Sequence, residues 1–326
     1  MKSTAIAPSN IAFIKYWGKK QDNLRLPYND SLSMCLSDAF TTTTVEFSKN
    51  LKQDNITIDG KENLKKNQRV IKHLDLIRNT AKTDLKARVV SKNNFPSGTG
   101  ISSSASGLAA LTMATCEALS LNLSTKEISE LARQGSGSAC RSVPDGFVEW
   151  VSYEDGQSFA QSIFPENHWN ILDIVAVVNT GQKDVSSTEG QKVAHTSPFF
   201  GTRLQKISAK FDLCKAILAK KDFSAFGRLI EAEALELHSI MLTSSPSLIY
   251  WEVGTLKLMK AIKKWRAEEG LEAYFTINTG QDVHIICQEK DANQVIQNLK
   301  QIEEVRGAIV NYPSKGARID TKASLF

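Results

Sequence analysis

The segment FPSGTGISSSASG at 95–107 sets three glycines and five serines between two runs of different periodicity. Upstream, KARVVSKNN alternates and is β-branched, as a strand requires; downstream, Leu108, Leu111, Thr115 and Leu119 recur at helical spacing. The segment is therefore a strand-to-helix connection. Gly98 and Gly100 permit positive φ and close backbone approach, and a helix opening near Ser102 aims unpaired N–H groups back into the loop. Backbone amides, the positive end of a helix dipole and a row of hydroxyls make a cradle for phosphate. Taken alone, the stretch fits equally a glycine-serine loop that ends in an ordinary serine cap.

Around this junction the first half of the chain is rich in strand signals: AIAPSNIAFIKYW, TTTTVEF, NITIDG, KARVVS, GFVEWVS and ILDIVAVVN. Helices are expected over 64–80, 102–119 and 125–134, the last entered through Ser124 with Glu127 three residues on, as a capping box requires. Past VVNTGQKDVSSTEG the texture changes to long helices, about 197–220, 222–240 and 247–268. EAYFTINTGQDVHIIC then reads as two strands around a tight turn, followed by a helix near 291–301 and the strand GAIVNY. Strands and helices mix without steady βα alternation, which argues for an α+β fold. A length of 326 residues suggests two domains, and the change of texture divides them as 1–180 and 181–326.

Composition narrows the function classes. A formal charge of +5 with no dense Lys/Arg run suits anionic small molecules and argues against nucleic acid or a membrane surface as partner. Cys35, Cys116, Cys140, Cys214 and Cys287 are odd in number and form no C-x-x-C pair, so a disulfide framework or zinc site is not expected, and a reducing cytoplasm is. No 18-residue apolar run occurs and the N-terminal residues lack an apolar core with a cleavage site, so neither a signal peptide nor a membrane span is expected. The histidines at 73, 168, 195, 238 and 284 lie far apart without an H-E-x-x-H pair, and G-x-x-x-x-G-K-[ST], G-x-G-x-x-G and G-x-S-x-G are all missing.

Three further islands carry chemistry beside apolar strands. NIAFIKYWGKK puts Lys15, Tyr16, Lys19 and Lys20 next to a glycine where a strand would end; alone, it also reads as a strand with solvated lysines. GSGSACRS at 135–142 offers amides and hydroxyls together with Arg141, whose fork suits phosphate or carboxylate, or else a helix C-cap at Gly135 and a plain turn. NTGQD at 278–282 sits between two strands, where a simple hairpin turn is the alternative.

Together these blocks resemble the GHMP kinase superfamily, and within it the mevalonate diphosphate decarboxylase family. PSGTGISSSASG is similar to the superfamily's ATP-phosphate loop, while APSNIAFIKYWGKK, NNFP, GSGSACRS, GFVEW and DVSSTEGQ are similar to decarboxylase signatures and run in the expected order over nearly the whole chain. The resemblance implies a two-domain GHMP kinase-like fold: an N-terminal domain like ribosomal protein S5 domain 2, a ferredoxin-like C-terminal domain, and ATP with Mg2+ and substrate in the cleft between them. It also implies a homodimer. ATP would phosphorylate the tertiary 3-hydroxyl of a 5-phosphorylated mevalonate, and loss of phosphate and CO2 would follow. Cofactor binding falls to Asn93, Pro96, Gly98, Thr99, Gly100, Ser102, Ser103 and Ser104, with the Ser104 hydroxyl nearest the transferred group and the metal. Lys15 and Arg141 match positions that hold the reacting hydroxyl, carboxylate and departing phosphate. Tyr16, Lys19, Ser136, Gly137 and Ser138 match the grip on the 5-phosphate end, and Trp17 the cleft wall.

One block departs from the pattern. The family carries Asp-Ala-Gly-Pro-Asn where this chain has Asn278-Thr279-Gly280-Gln281-Asp282, so its carboxylate has moved from the first position to the fifth. An amide can orient a hydroxyl but cannot accept its proton. Either Asp282 reaches back across the turn as acidic partner, with Asn278 orienting, or Asp282 caps the turn and no carboxylate base takes part. Alternative functions are decarboxylation of the 5-monophosphate, a kinase or a decarboxylase of a 3-phosphorylated substrate, and a non-catalytic nucleotide or RNA binder.

Overall fold

The computed structural model describes all residues except 62, 63, 97–99, 180 and 182, and of 64–66 the backbone only. Gly98 and Thr99 of the expected nucleotide loop, and position 180 itself, thus lie outside the described residues.

The chain opens with β1 (Lys2–Ile14), passes through the short hairpin of β2 (Lys19–Gln21) and β3 (Leu26–Pro27), and returns along β1 as the long strand β4 (Ser31–Ser48). Pro8 cannot donate to the ladder, and the register breaks between Pro8 and Asn10. β5 (Asn55–Ile58) runs parallel to β6 (Lys86–Asn93), which pairs with β4 through the threonine run 41–44. Two of the expected helices are α1 (Leu64–Ala81) and α2 (Ser103–Ala118), and the third is α3 (Thr125–Gly135), with both arms of its Ser124/Glu127 capping box formed. Helix α2 is lined with Ala105, Ala109, Ala110, Ala114 and Ala118, all buried, and these small side chains let it lie close on β1 and β4. GSGSACRS winds into a 3-10 turn at Gly137–Ser142, and β7 (Phe147–Ser152) with β8 (Ser158–Phe164) extends the sheet from β4.

A second sheet begins with β9 (Ile171–Val177), buried at every position. After the one-turn helix α4 (Ser187–Gly190) come α5 (Phe200–Lys220), α6 (Phe223–Thr243) and α7 (Val253–Glu268). The last starts later than 247 because Leu248 folds back to donate to Met241 O at 2.9 Å. β10 (Ala273–Thr276) and β11 (Val283–Gln288) flank the NTGQD turn, and α8 (Glu289–Leu299) and β12 (Gly307–Asn311) complete a sheet ordered β10-β11-β9-β12. Finally β13 (Arg318–Ile319) returns to the outer edge of β1. Sheet membership therefore changes between Phe164 and Ile171, ahead of the expected division near 180, and the C-terminus crosses back. One buried cluster joins the two halves: Phe13 and Leu32 from the first sheet, Phe211 and Phe226 from α5 and α6, and Val175 and Ile286 from the second.

Candidate active site

Strand β6 and helix α2 are joined by the glycine-serine segment, and its described end is tightly conformed. Gly100 has φ +129°, and Ser102 caps α2 in the left-handed region at φ 58°, ψ 36°, without a side-chain cap bond. The first N–H groups of the helix consequently face the loop with no described side chain bound to them. The NTGQD turn of the second sheet docks on this loop: the Asn278 amide donates from Nδ2 to Gly100 O at 3.4 Å and Ser102 Oγ at 3.3 Å. A Cβ on Gly100 would lie 3.2 Å from Gly280 Cα. From behind, His238 Nε2 bonds Asn278 O at 2.9 Å, and burial holds this imidazole neutral, its pKa lowered to about 3.

In front of the loop lies a cleft of about 290 Å3. Its described lining contributes five basic side chains, Lys15, Arg25, Arg69, Arg141 and Lys183, and no carboxylate. Lys15 follows β1. Its Nζ donates to Ala12 O at 2.7 Å and Asn278 Oδ1 at 3.2 Å, and desolvation lowers its pKa to about 7, with Glu233 opposing and Arg141 and Arg203 assisting. Its backbone is clamped as well: Lys15 N–H donates to Glu233 Oε1 at 3.1 Å, and Arg203 Nη2 donates to Lys15 O at 2.8 Å. Arg141 is buried, donates to Ser31 Oγ at 2.7 Å and Asn10 Oδ1 at 3.2 Å, and lies 5.8 Å from the ring centroids of both Tyr16 and Trp150. Gly137 is required beneath Tyr16, since a Cβ there would approach the phenol oxygen to 2.5 Å.

Of the residues singled out from sequence, Lys15, Tyr16, Trp17, Gly100, Ser102, Ser103, Ser104, Ser136, Gly137, Ser138, Arg141 and Asn278 meet in this one cleft. Lys19 is not among its lining; it pairs with Asp22 on the hairpin. Asn93 borders a neighbouring, mostly apolar hollow of about 130 Å3 that includes Val70, Val89, Leu108 and Leu111 and shares Arg69, Ser103 and Ser104 with the cleft; Pro96 lines neither. Asp282 is buried and absent from the cleft lining; its Oδ1 accepts from Val178 N–H at 2.9 Å, which ties the turn to the end of β9, and the turn's residues in the lining are Asn278 and Thr279.

Three cations had escaped notice in the sequence. Arg25 on the hairpin donates to Gln134 O at 2.9 Å, and Arg69 on α1 donates to Gly135 O at 3.0 and 2.9 Å, both on carbonyls at the C-terminal end of α3. Burial, then the neighbouring Arg25, lowers Arg69 to about 10. Lys183 donates to Ser187 Oγ at 2.9 Å and Thr279 Oγ1 at 3.2 Å, and burial lowers it to about 8.

A two-domain α+β chain with a glycine-serine loop at a cleft lined by basic side chains has the GHMP kinase fold. Residues 7–161 match the diphosphomevalonate decarboxylase-like N-terminal domain, and 173–322 match the mevalonate 5-diphosphate decarboxylase C-terminal domain. The chain belongs to the mevalonate diphosphate decarboxylase family. It is 33% identical to the diphosphomevalonate decarboxylase of Debaryomyces hansenii over 98% of this chain and 86% of that protein. It is also 33% identical to the phosphomevalonate decarboxylase of Haloferax volcanii over 90% of this chain and 91% of that one. Among solved structures it is similar to MDDEF in complex with MVAPP, AMPPCP and magnesium, at a TM-score of 0.91 and 36% identity, covering 98% of this chain and 99% of the other.

Proposed function

We propose that this chain is an ATP-dependent decarboxylase that converts mevalonate 5-diphosphate to isopentenyl diphosphate, ADP, phosphate and CO2. The observation that carries the reading is the cleft itself: five basic side chains and no described carboxylate around a glycine-serine loop suit a site that gathers a triphosphate, a carboxylate and a second phosphorylated end. The Gly100–Ser104 turn and the first N–H groups of α2 cradle the nucleotide phosphates, and the apolar hollow beside Ser103 and Ser104 receives the base. Arg141 holds the carboxylate and departing phosphate. Tyr16, Ser136, Gly137 and Ser138 take the 5-phosphate end, with Arg25 and Arg69 behind them.

The described residues contain no cluster of three or more His, Cys, Asp or Glu side chains placed for a metal. That donor set fits Mg2+ carried on the triphosphate, which keeps phosphate oxygens and waters and takes few protein ligands. Ser104 Oγ, 3.4 Å from Ser136 Oγ and open to the cleft, is the hydroxyl that would hold it. When bound, the ion neutralises charge on the β- and γ-phosphoryl oxygens. Five buried free thiols support a reducing, cytoplasmic setting, and exposed Ile249, Val253 and Leu256 at the start of α7 support a homodimer, which sedimentation would check. Among the described residues no helix is long and apolar enough to cross a membrane.

The Haloferax volcanii relative makes the 5-monophosphate the second candidate substrate. ADP and CO2 release with mevalonate, its 5-phosphate and its 5-diphosphate should give the highest kcat/KM for the diphosphate; a faster monophosphate reaction would overturn that choice. Arg141→Lys keeps the charge but loses the fork and its two anchors on Ser31 and Asn10. The expected penalty is about 1.5–3 kcal/mol in kcat/KM, the worth of a charged hydrogen bond. Activity within about twofold of the parent would count against a substrate contact.

A further inference from the structure

We propose that Lys15, as a neutral amine, accepts the proton of the substrate's tertiary hydroxyl. This rests on the decarboxylase reading and deepens it. A neutral amine has two N–H bonds and one lone pair. Lys15 Nζ finds two acceptors, Ala12 O at 2.7 Å and Asn278 Oδ1 at 3.2 Å, so both N–H groups are spent and the lone pair is left for the cleft. Asn278 cannot turn its oxygen away cheaply, because its Nδ2 faces Gly100 O and Ser102 Oγ, while its backbone carbonyl is held separately by His238.

The groups around Lys15 favour this state. Glu233 meets its backbone N–H but is ion-paired with Arg203 and Lys210; Arg141 and Arg203 repel a further cation; Asp173 is paired with His284; and His238 is neutral. Burial among them lowers the amine's pKa to about 7. A carboxylate at 278 would instead sit about 3 Å from Nζ and clamp it as ammonium. Lys183, the other cleft lysine, has three acceptors in Ser187 Oγ and the hydroxyl and carbonyl of Thr279, the set an ammonium needs.

The bookkeeping closes without another reactant. The hydroxyl O–H bond breaks and its proton goes to Nζ, while the oxygen bonds to the γ-phosphorus and the bridge to ADP breaks. The C–O bond of the 3-phosphate then breaks, the electron pair of the C–carboxylate bond becomes the double bond, and phosphate and CO2 depart. The ammonium formed in the first step stands beside the phosphate that leaves in the second, and it returns its proton to water afterwards.

The test combines kinetics with a titration that needs no turnover. With the 5-diphosphate as substrate, kcat/KM should fall tenfold per pH unit below about 7, and 13Cε-lysine NMR, assigned with Lys15→Met, should show Lys15 titrating there. Asn278→Asp should move the Lys15 titration up by at least two pH units and shift the kinetic limb down into the carboxylate range. Lys15→Met and Lys15→Arg should both lower kcat at least about 100-fold, since a guanidinium keeps charge without basicity. Lys15 remaining charged to pH 9, or Lys15→Arg keeping more than about a tenth of kcat, would overturn the base role while turnover upholds the decarboxylase reading. Absence of turnover with every phosphorylated mevalonate overturns both.

Discussion

Replacing Gly100 by valine should leave a folded protein that no longer binds ATP. Gly100 has φ +129°, a region that costs a residue with a side chain about 1–3 kcal/mol. Its Cβ would also press on the backbone of Gly280 at 3.2 Å. Backbone cannot rotate aside as a side chain can, so the loop must leave the NTGQD turn. That withdraws Gly100 O and Ser102 Oγ from Asn278 and misaligns the amides that face the phosphates. In whatever turnover remains, an error of about 1 Å there costs on the order of 100-fold in rate. Calorimetry of ATP binding, with circular dichroism to confirm the fold, is the check; unchanged affinity in a folded variant would remove the loop from the nucleotide site.

The largest expected loss of stability is that of Arg203→Met. Arg203 Nη2 lies 2.5 Å from Glu233 Oε1, with side chains 2% and 0% exposed, and Lys210 reaches the same carboxylate at 2.9 Å. Burial would raise the Glu233 pKa, but Arg203 and Lys210 outweigh it and hold the carboxyl below its ordinary 4.5. Removing the guanidinium leaves a buried charge with only one cation, which costs about 3–5 kcal/mol. Urea midpoints would measure it, and Arg203→Met with Glu233→Leu should recover part of the loss. Because the folded protein holds this proton less tightly than the unfolded chain, the pair's contribution is complete above pH 4.5 and drains away as pH falls through the folded pKa. The same variant should disturb turnover, since Arg203 and Glu233 together grip the backbone of Lys15.

Elements written in local chemistry were legible before the structure was known. The β6–loop–α2 junction announces itself through glycines between two periodicities, and α3 through its capping box. The length of β4 was not, because Ser31–Phe40 has buried residues on both faces and small polar side chains among them, so no alternation marks its first half. Lys15, Arg141 and Asn278 stand in recognisable blocks. Arg25 and Arg69 are single cations on a hairpin and a helix, and only tertiary packing against the end of α3 brings them together. Lys183 precedes DVSSTEGQ directly, a signal that was available and went unused. The two roles left open for Asp282 turned on side-chain direction across a turn, which depends on the neighbouring strand: Val178 N–H at the end of β9 takes up its Oδ1.

A cleft with four cations beside the Lys15 amine, and no described acid, makes the ligand-free protein a small ion exchanger. Its like charges repel one another across a space that water and mobile counter-ions must screen, so the empty fold carries a load that any multivalent anion relieves. Ligand affinity and resistance to unfolding are thereby coupled: an anion that enters the native cleft and ignores the unfolded chain raises the melting temperature in proportion to the logarithm of its concentration. Phosphate, sulfate and nucleotide in the surrounding medium are for this molecule part of what sets how firmly it is folded.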